Sequence, residues 1–141
     1  PNLGLVVPTM ALGGHGTANM TGNVAPAEMA TLSTPWRSHA DAEAFRQTYL
    51  RLLPLLHYTY SAVNPVPVKS LMTMLGLPAG DLRRPLRPLD APALARGVAI
   101  VRALGLDARY GFKASAVGLP AAAEPGAIAP AAAPAPSCTL P

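Results

Sequence analysis

The sequence predicts a mostly α-helical body with one or two short strands, too few to close an architecture of its own. Three observations carry this. Apolar residues recur at helical spacing in three separate segments between residues 38 and 105, and only residues 16–22 have the composition of a buried strand. The composition also changes sharply after Lys113. A lone strand needs neighbours to satisfy its backbone groups, so the body reads as part of something larger.

The elements follow in order. Residues 3–12 are apolar and stop at Gly13-Gly14. They suit a short helix, although Val6 and Val7 would also fit a strand. Residues 16–22 are then the strand, and a short helix runs from Pro26 to Leu32 before Pro35. The longest helix is expected from Ser38 to Ser61. Ser38 is its N-cap, with Asp41 three residues on. Phe45, Tyr49, Leu52, Leu53, Leu56 and Tyr60 fall on one face, and Pro54 inside the pattern predicts a kink without a break. In the next helix Asn64 is the cap and Pro65 the first residue, with Val68, Leu71, Met72 and Leu75 as its stripe before Gly76. Asp90 caps the last helix, which turns Leu94, Val98, Val101 and Leu104 inward and ends before Gly105.

Residues 114–141 contain one charge (Glu124), no aromatic residue, eleven alanines and six prolines. Such a stretch lacks the large apolar groups that offset ordering entropy, and it reads as a disordered tail. Three segments result: 1–38, 39–113 and 114–141.

Composition narrows the function classes. The net charge is +4, but the nine arginines are scattered and Arg83-Arg84-Pro85-Leu86-Arg87-Pro88 has no interleaved aromatic residue. That is the composition of a solvated loop, not of a phosphate-tracking surface. No apolar run approaches the ~20 residues of a membrane span, and no basic region precedes residues 3–12 as in a signal peptide. Cys138 is the single cysteine, which leaves a cytoplasmic setting as the expectation and Cys138 an inert thiol. His15, His39 and His57 have no metal-ligand spacing, so no metal site is expected. Gly13-Gly14-His15-Gly16 precedes a strand, the reverse of the order a phosphate-cradling loop requires. Met72, Met74, Tyr58 and Tyr60 are assigned to the core, and Trp36 to packing on a flank or at a subunit contact.

Three pieces in register carry a family resemblance. They are Leu12-Gly13-Gly14-His15-Gly16 with Thr21-Gly22-Asn23-Val24-Ala25-Pro26, then Asn64-Pro65-Val66-Pro67-Val68-Lys69 leading to Leu75-Gly76-Leu77, and Arg84-Pro85-Leu86-Arg87-Pro88-Leu89. Residues 1 to about 106 resemble the C-terminal third of the dihydrodipicolinate synthase / N-acetylneuraminate lyase family. The resemblance implies an α/β fold class, with this chain a C-terminal fragment of a (β/α)8 TIM barrel. Residues 1–38 would be its last βα unit, 16–22 the eighth strand, and 39–113 a helical extension.

It also implies a homotetrameric, cytoplasmic lyase that condenses pyruvate with an aldehyde such as aspartate semialdehyde through a lysine Schiff base, without metal or organic cofactor. Retro-aldol cleavage of a 2-keto-3-deoxy acid and a dehydratase reaction are the alternatives within the class. The family's catalytic lysine, proton-relay tyrosine and carboxylate site lie upstream of Pro1, so no catalytic residue is expected here. Ala18 and Asn19 would face the pyruvate pocket as substrate-binding residues. Ala18 stands where synthases commonly carry isoleucine, and Pro1-Asn2 replaces a Gly-Asp/Glu-Asp turn, which leaves the second substrate open. The only lysines are Lys69 and Lys113, and Lys69 occupies a structural position in the extension. A reading from another class treats the chain as a non-catalytic helical interaction module, whose exposed apolar stripes promote association.

Overall fold

The computed structural model describes residues 5–113. The expectations for residues 1–4 and for 114–141, Cys138 included, lie outside the described residues. Six α-helices and one 3-10 turn succeed one another. They are α1 (Val6–Ala11), the turn Met20–Asn23, α2 (Pro26–Leu32), α3 (His39–Thr59), α4 (Val66–Met74), α5 (Ala91–Ala103) and α6 (Leu106–Tyr110). Helix α3 is the spine. With 21 residues it is about 30 Å long, and α2, α4, α5 and the 3-10 turn all pack on it.

The starts of α3 and α5 follow from local chemistry. Ser38 Oγ accepts the Asp41 N–H at 3.2 Å, while the Asp41 carboxylate accepts the Arg37 N–H at 2.9 Å. Asp90 Oδ1 accepts the Ala93 N–H at 2.9 Å. Each side chain satisfies a donor that the first helical turn leaves unpaired. Helix α3 continues through Pro54 unbroken. Its buried residues are Phe45, Leu52, Leu55, Leu56, Tyr58 and Thr59, a wider arc than one stripe. Four elements, α2, α4, α5 and the 3-10 turn, contact this helix and need more than one stripe to pack on.

Three expectations are corrected. No strand forms among the described residues: residues 16–19 are irregular and Met20–Asn23 coil into the 3-10 turn. Asn19 is extended (φ −145°, ψ 135°), as a strand residue would be. No described backbone–backbone bond ties residues 15–18 to another segment, so an extended backbone has nothing to form a ladder with. Asn64 does not cap α4. Pro65 occupies the cap position, with no side-chain acceptor, and the helix begins at Val66. Pro67 in the first turn lacks an N–H and so removes one of the donors a cap would serve. Finally, the chain is helical beyond Gly105. This residue adopts φ +67°, favoured by glycine, and that bend both ends α5 and starts α6.

One apolar cluster joins the elements. Val6 and Met10 of α1, Leu32 of α2, Leu52 and Leu56 of α3, Leu71 of α4, Val98 and Val101 of α5 and Leu106 of α6 are all buried in it. Trp36 packs edge-on against Phe45, 5.0 Å between ring centres, and Phe45 stacks on Tyr49 at 5.9 Å. Helix α5 meets α3 closely at Gly97, where a Cβ would lie 2.4 Å from Tyr58 Cζ. Residues 77–89 connect α4 to α5 without helix, and Arg83, Arg84 and Arg87 on this loop are exposed.

Candidate functional site

The residues singled out from the sequence lie on the irregular segment before the 3-10 turn, where Asn19 is locally extended. Ala18 is exposed there, and Asn19 is half-buried. Asn19 Oδ1 accepts the Thr21 N–H at 2.7 Å, which caps the turn. Its amide nitrogen is buried and has no hydrogen-bond partner among the described residues. Ala18 supplies only a methyl group, so the unpaired side-chain polar group here is the Asn19 amide nitrogen, withdrawn from solvent.

The segment is anchored from below by hydroxyls. Thr21 and Thr59 are both fully buried and their Oγ1 atoms lie 2.8 Å apart. Thr59 donates its proton to the Leu56 carbonyl at 3.0 Å, so Thr21 is the donor in the pair. Asn19, Thr21, Thr59 and Leu56 thus form a hydrogen-bonded relay from the extended segment into α3. A second tie joins Thr17 Oγ1 to Ser33 Oγ at 2.9 Å, just after α2.

A buried carboxylate that sequence reasoning missed sits beneath the same region. Glu28, in the first turn of α2, accepts Tyr110 Oη at 2.7 Å, Arg109 Nη1 at 2.9 Å and Arg51 Nη2 at 3.2 Å. Tyr110 Oη in turn accepts the Ala27 N–H at 3.0 Å. Burial, then the bond to Glu28, pushes the Tyr110 hydroxyl above the usual phenol range, so it remains a donor at neutral pH. This cluster closes α6 over α2 and α3. An acid one turn into a short helix is unremarkable in sequence, and its partners lie 23 to 82 residues away.

The lysines are placed differently. Lys69 Nζ donates to the Asp81 carbonyl at 2.6 Å, holding the 77–89 loop against α4. Lys113 is exposed at the end of the described chain. His15, His39 and His57 are all exposed, and no group of three potential metal ligands exists among the described residues. No helix among them is long and apolar enough to cross a membrane.

Residues 4–104 match the dihydrodipicolinate synthetase family. The chain belongs to that family. It is 39% identical over 87 residues to a 4-hydroxy-tetrahydrodipicolinate synthase of Syntrophobacter fumaroxidans, covering 61% of this chain and 30% of the relative. It is 40% identical over 103 residues to the enzyme of that name from Leptothrix cholodnii, covering 73% and 35%. A crystal structure of dihydrodipicolinate synthase superposes with a TM-score of 0.65 at 32% identity, over 74% of this chain and 36% of the other. The chain therefore spans about a third of the length of the relatives it matches. The family assignment and the fold class, a mostly helical piece of a TIM-barrel enzyme, stand on these matches. They also fit the unpaired segment at residues 15–18: a chain spanning about a third of its relatives lacks most of a barrel's eight strands.

Proposed function

We propose that this chain is the C-terminal part of a Schiff-base lyase that joins pyruvate to an aldehyde such as aspartate semialdehyde. The match over residues 4–104, with relatives named as 4-hydroxy-tetrahydrodipicolinate synthases, is the observation that supports it. A lysine amine from outside these 141 residues adds to the keto carbon, and water leaves to give a protonated imine. Loss of a methyl proton makes an enamine, whose carbon attacks the aldehyde carbon. Hydrolysis of the imine then frees the amine and releases the product. The protonated imine is itself the electron sink, so the route needs neither metal nor organic cofactor.

In this reading residues 1–38 complete the barrel and Ala18 and Asn19 face the pyruvate pocket. Residues 39–113 buttress the barrel and support a cytoplasmic homo-oligomer. Cleavage of a 2-keto-3-deoxy acid, or a dehydratase reaction, would use the same imine, and Ala18 leaves room for a different second substrate. The chain taken by itself is then a non-catalytic helical module. Lys69 supports this, since its amine holds a loop carbonyl in the extension.

Pyruvate with borohydride, read by intact mass and peptide mapping, tests the proposal. A complete relative should gain the reduced pyruvate adduct and this chain should not. A stoichiometric adduct on Lys69 would overturn the placement of the active site. Co-expression with the N-terminal two-thirds of the Leptothrix cholodnii relative should restore adduct formation, on the relative's portion. Failure to restore it with both pieces folded and associated would count against the lyase reading.

A further inference from the structure

The loop between α4 and α5 is tied to α4 at two points. Lys69 Nζ donates to the Asp81 carbonyl at 2.6 Å, and the buried Ser70 accepts the Leu89 N–H on its Oγ at 3.3 Å. Between these ties the loop does not close on the helices. A cavity of about 190 Å3 stands there, walled by α4, the loop and Leu94 of α5. A single water needs only ~10–15 Å3 on this measure, so a small molecule has room. The ties hold the walls in place before anything binds, which lowers the ordering cost of binding.

The lining has a definite chemistry. Among the described residues Lys69 is its one cation and Asp81 its one anion. They form no ion pair with each other or with any other described residue. The Asp81 carbonyl takes one of the three N–H groups of the Lys69 ammonium and leaves the others free to donate. That bond lies at the surface, so a solute can reach the amine. The Asp81 side chain is exposed as well. Thr73 donates its proton to the Lys69 carbonyl at 3.1 Å, which leaves Oγ1 as an acceptor. Met74, Leu82 and Leu94, all half-buried, supply an apolar wall that a ligand can cover.

We propose that this cavity binds a free aliphatic α-amino acid. Its carboxylate accepts from Lys69 Nζ, its ammonium donates to the Asp81 carboxylate and Thr73 Oγ1, and its side chain lies on Met74, Leu82 and Leu94. One accessible charge of each sign matches a zwitterion, with a charge-assisted hydrogen bond at either end. An anion of the same shape would leave Asp81 without a counter-charge, and a cation would do the same to Lys69. An amino acid with a small polar side chain would leave the apolar wall in water. The site is built from α4, the loop and α5 alone, and it does not depend on the reaction proposed above.

The test is an NMR titration of the full 141-residue chain with L-leucine, L-leucinamide, isocaproate and L-serine, read at the Leu94 methyl signals and the Thr73 and Asp81 amides. The last three ligands each lack one feature of leucine: the carboxylate, the ammonium and the aliphatic side chain. Leucine should shift all the signals saturably and bind at least about tenfold more tightly than each of the others. Asp81→Asn keeps the backbone carbonyl that holds Lys69 and so leaves the loop in place. It should weaken leucine about tenfold and abolish the advantage of leucine over isocaproate, with the thermal midpoint unchanged. Shifts that never saturate, binding of leucinamide, isocaproate or serine equal to that of leucine, or wild-type leucine affinity in Asp81→Asn would each overturn the proposal.

Discussion

Replacing Glu28 by glutamine tests whether α6 is held onto the rest of the chain by one carboxylate. The Glu28 side chain is 2% exposed, whereas those of Arg51 and Arg109 are 53% and 52% exposed. Removing one member of a fully buried ion pair costs ~3–5 kcal/mol, but here the freed guanidinium groups can rehydrate. Screening reduces each arginine contact to about 0.5 kcal/mol. The part-buried Tyr110 bond, made to a charged acceptor, is worth about 1.5 kcal/mol. Glu28→Gln should therefore destabilise by about 2–3 kcal/mol, measured as a shift in the urea midpoint of the 222 nm circular dichroism signal. Tyr110→Phe should lose about 1.5 kcal/mol through the same bond and the orphaned Ala27 N–H. The double variant should lose clearly less than the sum of the two, a coupling near 1 kcal/mol. Additive losses, or a Glu28→Gln effect below about 0.5 kcal/mol, would refute the tether.

Three further outcomes follow from other contacts. Gly97→Ala gains about 1 kcal/mol of helix propensity but drives a Cβ to 2.4 Å from Tyr58 Cζ. Overpacking of about 1–3 kcal/mol should win, lowering the thermal midpoint, and Tyr58→Ala in the same chain should reverse the sign of the alanine effect. Thr59→Val removes the acceptor of the buried Thr21 hydroxyl; thermal unfolding should show a loss of about 1–2 kcal/mol, and no loss would mean that water replaces the bond. The Glu43 carboxyl is held down to about 2 from 4.5 chiefly by its bond from Arg46, and Asp41 is lowered by the Arg37 N–H. Depressed folded-state values mean stabilisation that is present above about pH 4.5 and lost as pH falls towards 2. Melts across that window should show a small downward drift that 1 M salt reduces, since both groups are at the surface.

Legibility in the sequence tracked how local each signal is. Ser38 and Asp90 announce their helices because a cap acts within three residues. The apolar spacing of Leu52 and Leu56, or of Val98 and Val101, needs only the helical period. Asn64 failed as a cap because its signal depends on the path of the following backbone, which places Pro65 at the cap. Helix α6 was hidden by Gly105, since a glycine after an apolar helix reads as a stop whether or not another helix follows. The composition of residues 16–22 suits a strand, but a strand is a property of pairs of segments. Of the candidate site, the sequence pointed to Ala18 and Asn19 through family likeness, while the Thr21–Thr59 pair and the Glu28 cluster were invisible. Their partners are 23 to 82 residues apart, and no periodicity spans that distance.

The two clusters tie the segment before α2 to helices that come later in the chain. The Asn19 side chain is fixed by the Thr21 N–H, Thr21 by Thr59, and Thr59 by Leu56 of α3, so the position of Asn19 is set from α3. Glu28 locks α2, which follows that segment directly, to α3 and α6 through Arg51, Arg109 and Tyr110. Both ties fix the segment from its C-terminal side and make no use of strands pairing with it. These bonds place the determinants of Asn19's position on helices far from it in sequence, where substitutions would act on Asn19 without touching it.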